Sequence, residues 1–241
     1  MTVTTFEIQG RTLTLPVEVR DADSWAAQFF VPAAAAQRIV DPTGLEVAQP
    51  LPGRAVVNIA FVRYKDTDLD SYNELAIAFL VRRDDAAKGS ALDKMREFVQ
   101  GKIGVYIHQL PVTQGFTLEA GQTIWGYPKF MADIDITEES GRVVCSLAHD
   151  GTYVLTLELR EGGPIKLPQQ NLATYSLRED VLRRTEWEQD APIRARLGGA
   201  SLELGSHPIA DELRTLGLPK RALMCSTMRG MRATFGPAVP V

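Results

Sequence analysis

The residue of this sequence best placed to do chemistry is a lysine set among large apolar side chains. In Trp125-Gly126-Tyr127-Pro128-Lys129-Phe130-Met131, aromatic and thioether groups surround Lys129. Gly126 permits a sharp bend, while Pro128 fixes its own φ and pushes Tyr127 into an extended conformation. Lys129 is thereby held on a stiff corner between a predicted helix and a predicted strand. An apolar setting suits a nucleophilic amine. A lysine with an ordinary pKa near 10.4 is neutral only about one time in a few thousand at pH 7, and desolvation disfavours its charged form. A neutral lysine attacks a ketone or aldehyde carbonyl, and the iminium that follows is an electron sink. The local sequence is equally compatible with an edge lysine that snorkels past its aromatic neighbours into solvent.

Other chemistries lack a sequence basis. The chain contains no GxGxxG after a strand, no GxxxxGK[ST], no HExxH and no GxSxG. His108, His149 and His207 show no ligand spacing, and each reads as a hydrogen-bonded strand or turn residue. Neither a metal nor an organic cofactor is expected. Cys145 and Cys225 lie far apart in no metal-binding pattern and read as reduced thiols packed in a core.

The run Ile124-Trp125-Gly126-Tyr127-Pro128-Lys129 resembles the signature of the acetoacetate decarboxylases and their wider superfamily, in which an aromatic-Pro-Lys element carries the Schiff-base lysine. Tyr72-Asn73-Glu74 resembles the family's Tyr-x-Glu, whose carboxylate faces that lysine. Tyr106-Ile107-His108 falls upstream at a similar spacing, and the ending from Leu202 to Pro237 also looks like the family's. The resemblance is collinear over most of the chain. It implies a cone-like antiparallel β-barrel with flanking helices, a site inside the barrel and a homo-oligomer. It also implies Lys129 as imine-forming amine and Glu74 as general acid/base, with Arg20, Tyr72, Trp125, Tyr127 and Phe130 around the substrate. Phe130 departs from the pattern: the decarboxylase proper has a second lysine there, whose charge would repel the first. The resemblance thus implies a Schiff-base lyase for a small keto acid or carbonyl compound, by decarboxylation or by aldol addition and dehydration. A non-catalytic binding barrel, or a secondary-metabolism enzyme using the pocket without an imine, are the competing readings.

The elements that must position these residues are mostly strands. Residues 3–20 alternate apolar and polar with a turn at Gly10-Arg11. Asp23 or Ser24 is read as the cap of a helix through Trp25, Ala26, Phe29 and Phe30, and a second short helix as Ala33 to Val40. Strands follow over Ala55 to Tyr64, Glu74 to Val81 and Ile103 to Leu110. Met131 to Ile136, Val143 to Ala148 and Tyr153 to Leu159 come next, with Asp150-Gly151 as a hairpin turn. Helices are expected around Ala91 to Val99, around Leu118 to Trp125 and over Pro208 to Leu216 behind Ser206, with a last strand from Arg221 to Phe235. The charged stretch from Leu177 to Gln189 is ambiguous. Hairpin-linked strands at short spacing favour a mainly β (α+β) fold, an antiparallel sheet closed or nearly closed on itself.

With 241 residues, 45% of them hydrophobic and 23% charged, the chain reads as one globular domain over residues 1–241. A net charge of −4 gives no electrostatic reason to bind nucleic acid or an anionic membrane. No signal peptide or membrane-length apolar run is apparent, so a soluble cytoplasmic protein is expected.

Overall fold

The computed structural model describes residues 4–82, 103–168 and 172–241. A small hairpin, β1 (Thr5–Ile8) with β2 (Arg11–Thr14), precedes the long β3 (Val17–Pro32). Helix α1 (Ala33–Val40) leads to β4 (Arg54–Thr67), β5 (Tyr72–Arg82) and β6 (Ile103–Val112). Then come α2 (Gly115–Trp125) and the short β7 (Lys129–Met131), followed by β8 (Asp133–Glu139), β9 (Arg142–His149) and β10 (Thr152–Arg160). The remaining strands are β11 (Ile165–Leu167), β12 (Leu172–Arg178), β13 (Val181–Asp190), β14 (Ile193–Leu197) and β15 (Ala200–Leu204). Helix α3 (Pro208–Thr215) and β16 (Met224–Pro240) complete the chain.

Seven strands close on themselves in the order β3-β4-β5-β6-β12-β13-β16 and back to β3. All neighbours are antiparallel except β6 and β12, which run parallel. Closure leaves no barrel edge to aggregate. A second sheet, β15-β10-β9-β8, covers the outside: Leu147, Leu155 and Leu157 from it share one core with Trp25, Phe29 and Phe61 of the barrel.

The helix expected after Asp23 is instead the middle of β3. Trp25, Ala27, Phe29 and Val31 are all fully buried on one face, and Ser24, Ala26 and Gln28 face the lumen. A strand covered on both faces loses the apolar/polar alternation that marks a half-exposed one, and a run of aromatics and alanines then mimics a helix. The ambiguous stretch is the β12–β13 hairpin, whose turn residues Glu179 and Asp180 hold φ of 53° and 58°. It carries no glycine to announce it, unlike the Asp150-Gly151 turn, which joins β9 and β10 as expected.

Helix α2 begins three residues earlier than expected because the Gln114 side chain caps it, accepting the Thr117 N–H at 2.6 Å. Helix α3 is capped by the His207 ring in place of Ser206. The helix expected around residues 91–99 lies outside the described residues. Both cysteines are free and buried. Among the described residues, no helix is long and apolar enough to cross a membrane.

Candidate active site

Helix α2 ends on Gly126, whose φ of +66° lets the chain reverse after Trp125. The corner is fastened from several sides. Ser176 Oγ donates to the Trp125 carbonyl at 2.6 Å, and Trp125 Nε1 donates to the Gly236 carbonyl at 2.8 Å. The Lys129 N–H reaches the Tyr127 carbonyl across Pro128 at 2.8 Å, and Gln122 Nε2 holds the Lys129 carbonyl at 2.7 Å. Beyond the corner β7 pairs in parallel with β6, Lys129 opposite Leu110.

This fixes the direction of the side chain. Lys129 points into the barrel and is only 6% exposed. Its Nζ lies 2.9 Å from Glu74 Oε2 on β5 and 2.8 Å from Thr117 Oγ1 on α2. Tyr64 donates its hydroxyl to the other Glu74 oxygen at 3.3 Å, and the Tyr72 ring lies 5.1 Å from Nζ. Tyr64 and Tyr72 stack with centroids 4.4 Å apart. Burial, with Glu74 adding to it, pushes both hydroxyls well above the ordinary tyrosine range, so they remain proton donors. The group opens on a cavity of about 320 Å³ walled by barrel residues. That volume lies at the small end of small-molecule pockets.

Of the expected site residues, Lys129, Glu74, Tyr72, Trp125 and Tyr127 all line this cavity. Tyr127 is tied by its hydroxyl to Thr174 Oγ1 at 2.8 Å. Two residues fall elsewhere. Phe130 follows Lys129 on a strand and so points to the opposite face, where its ring meets His149 outside the barrel at 4.7 Å. Register irregularities between Val19 and Ala22 turn Arg20 toward Asp66 and Asp68, at 2.8 and 2.6 Å, away from the cavity. Thr117 and Tyr64 were not anticipated. Thr117 lies one helical turn before Gly121 and shares its face, but the helix was expected to start after it. His108 pairs with Glu212, and His149 meets His207. Among the described residues no group of three or more acidic, histidine or cysteine side chains forms a metal site.

Gly121 is the point where α2 passes over the lysine. A Cβ there would lie 2.5 Å from Lys129 Cδ, closer than packed carbons approach. Gly121→Ala is therefore expected to push Nζ off Thr117 and slow any reaction of the amine by tenfold or more, with the fold retained. Near-UV circular dichroism and the rate of amine modification check this; an unchanged rate would show that the lysine has room to move.

The buried acids also set a stability window. Burial pushes the Tyr127 hydroxyl up to about 12 and the Cys145 thiol up to about 12. The folded protein keeps these protons while the unfolded chain releases them at ordinary values, so the stability they confer is full below about pH 9 and falls as pH rises toward 12. At ~1.4 kcal/mol per pH unit, Tyr127 alone costs about 3 kcal/mol across its window. Urea midpoints should fall between pH 10 and 12, and less steeply in Tyr127→Phe. Equal slopes in the two proteins would contradict the assignment.

A lysine ion-paired to a carboxylate inside a closed barrel, with tyrosine hydroxyls at hand, defines a class of protein: a barrel built around one buried amine. The acetoacetate decarboxylase (ADC) family model matches residues 9–236, and the chain belongs to that family. No curated protein matches it. Among solved structures it is similar to an acetoacetate decarboxylase (TM-score 0.70, 18% identity, covering 94% of this chain and 89% of the other). It is similar to acetoacetate decarboxylase from Legionella pneumophila (0.68, 18%, 94% and 87%). A third similar structure is the enduracididine biosynthesis enzyme MppR, complexed with the condensation product of pyruvate and imidazole 4-carboxaldehyde (0.67, 16%, 93% and 88%).

Proposed function

We propose that this protein is a Schiff-base-forming lyase that acts through Lys129 on a small keto acid or carbonyl compound. The observation that carries the reading is the buried contact of Lys129 Nζ with Glu74 at 2.9 Å, at the wall of the barrel cavity. Glu74 takes a proton from the ammonium and leaves a neutral amine. The nitrogen lone pair attacks the substrate carbonyl carbon, the C=O π pair moves to oxygen, and that oxygen takes a proton from Glu74. The nitrogen then gives a second proton back to Glu74, Glu74 passes it to the carbinolamine hydroxyl, and the C–O bond breaks to release water and leave the iminium. Thr117, 2.8 Å from Nζ, fixes the direction of attack, and Tyr64 holds Glu74 in place.

From the iminium, electrons of a bond β to nitrogen flow into the C=N π system and leave an enamine. If that bond is to a carboxylate, CO₂ departs. If it is to hydrogen, Glu74 removes the proton, the enamine adds to an aldehyde, and loss of water follows. The family supports both outcomes, since its structural relatives include a decarboxylase and an enzyme bound to a pyruvate condensation product. A homo-oligomer, which the sequence resemblance to the decarboxylases implies, is part of the same proposal.

The test is reductive trapping. The protein is incubated with pyruvate, acetoacetate or a simple aldehyde, treated with borohydride, and digested for mass spectrometry. An adduct on the peptide carrying Lys129, with CO₂ release measured in parallel, separates decarboxylation from condensation. Turnover of any of these substrates with no adduct at Lys129 defeats the reading.

A further inference from the structure

The cavity extends well past the Lys129–Glu74 pair. Val62 of β4 lies opposite Glu74, Asn58 lies opposite Ala78, and Gln28 of β3 faces Asn58. Asn58 precedes Val62 by four residues on the same strand face, so the Gln28–Asn58 amide pair sits roughly 13 Å along the barrel from Glu74, at ~3.3 Å per residue. The wall between is built from Ala26, Ala60 and Ala76, side chains too short to fill a lumen. Val56, the next residue on that face of β4, is only 2% exposed. Asn58 therefore lies inside the lumen and not at its open rim.

Asn58 Oδ1 is buried and has no hydrogen-bond partner. An unsatisfied buried carbonyl oxygen costs about 1–3 kcal/mol, and such atoms are uncommon unless something completes them. The amide can also turn about its last bond, presenting either its acceptor or its donors to the lumen. The formal charges among the described lining residues are Lys129 and Glu74, which neutralise each other. A carboxylate at the amide end would lie among alanines, far from that cation, and would lose its hydration without a charged partner.

We propose that the substrate is an elongated, uncharged aldehyde or ketone. Its carbonyl meets Lys129, its chain runs along the alanine wall, and a neutral hydrogen-bonding group at its far end, such as a hydroxyl, is read by Asn58 and Gln28. This rests on the Schiff-base reading of Lys129 and narrows its substrate class. The covalent step is unchanged: a C–N bond forms to Nζ, the carbonyl oxygen leaves as water, and borohydride hydride adds to the iminium carbon in the trapping experiment.

An extended chain advances about 1.2 Å per bond, so the test probe is a straight-chain ω-hydroxyaldehyde of roughly ten carbons. It is compared with the plain aldehyde and the ω-carboxy aldehyde of equal length, and with propanal, by the rate of reductive labelling at Lys129. The hydroxyaldehyde should label at least tenfold faster than the carboxy form and several-fold faster than the plain aldehyde. In Asn58→Leu the hydroxy-to-plain ratio should fall to about one. In Ala60→Phe, which fills the alanine-walled stretch, the ratio of long probe to propanal should fall at least tenfold. Labelling at Lys129 with equal rates for the three long probes, or a hydroxy preference that survives Asn58→Leu, overturns this proposal and leaves the Schiff-base reading standing. No labelling of Lys129 by any probe, propanal included, overturns both.

Discussion

Lys129→Met is expected to remove the borohydride-trappable adduct, bring turnover to background and destabilise the fold together. The first two follow from losing the amine. The third follows from what remains: Glu74 is 7% exposed and, among the described residues, keeps the long 3.3 Å side-chain contact from Tyr64. Breaking a buried ion pair by removing one partner typically costs about 3–5 kcal/mol, because the other charge is left without compensation, whereas replacing both by apolar groups is often neutral. Urea denaturation should therefore rank wild type and Lys129→Met/Glu74→Leu close together, with Lys129→Met well below both. A single variant as stable as wild type would mean that the pair is solvated. A single variant that still turns over substrate would remove Lys129 from the chemistry.

Glu74→Gln tests the partner more selectively. The amide keeps the shape of the carboxylate, can accept from Lys129 and can still meet Tyr64, so little packing is lost. It cannot take up a proton. General acid–base catalysis contributes about 10²–10⁴-fold, and the variant should lose that much in the rate of imine formation, while its urea midpoint also falls because the buried ammonium loses its counter-charge. Pre-steady-state trapping with borohydride measures the rate directly. A loss of less than tenfold would show that Glu74 only neutralises the lysine and that another group moves the proton.

Most of the proposed catalytic pair was legible in the sequence, because its cues are local. An aromatic-Pro-Lys corner and a Tyr-x-Glu strand place a stiffened lysine and a carboxylate, and their resemblance to a known family joins them. The mainly β architecture was legible from strand spacing, and the Asp150-Gly151 turn was legible as a hairpin, although that hairpin belongs to the second sheet and not to the barrel. Where the reading failed, the deciding interaction was long-range. The stretch through Trp25, Ala26, Phe29 and Phe30 was read as a helix because neither face of β3 is open to solvent, one packing on the second sheet and one lining the lumen.

The sequence by itself placed Lys129 on a stiff corner among large apolar residues, and its resemblance to the decarboxylases pairs that lysine with a carboxylate 55 positions earlier. Only the tertiary structure decided which neighbours share the site. The alternation of β7 sends Phe130 out to His149, irregularities in β3 send Arg20 to surface acids, and the register of β4 with β5 brings Tyr64 onto Glu74. A strand's side chains reverse face with every residue, so a single step in register decides inside from outside. Composition carries no record of that step. The corner that carries Lys129 is specified locally, whereas the cavity beyond it, from Glu74 to the amides of Gln28 and Asn58, exists only because seven strands close with one particular stagger.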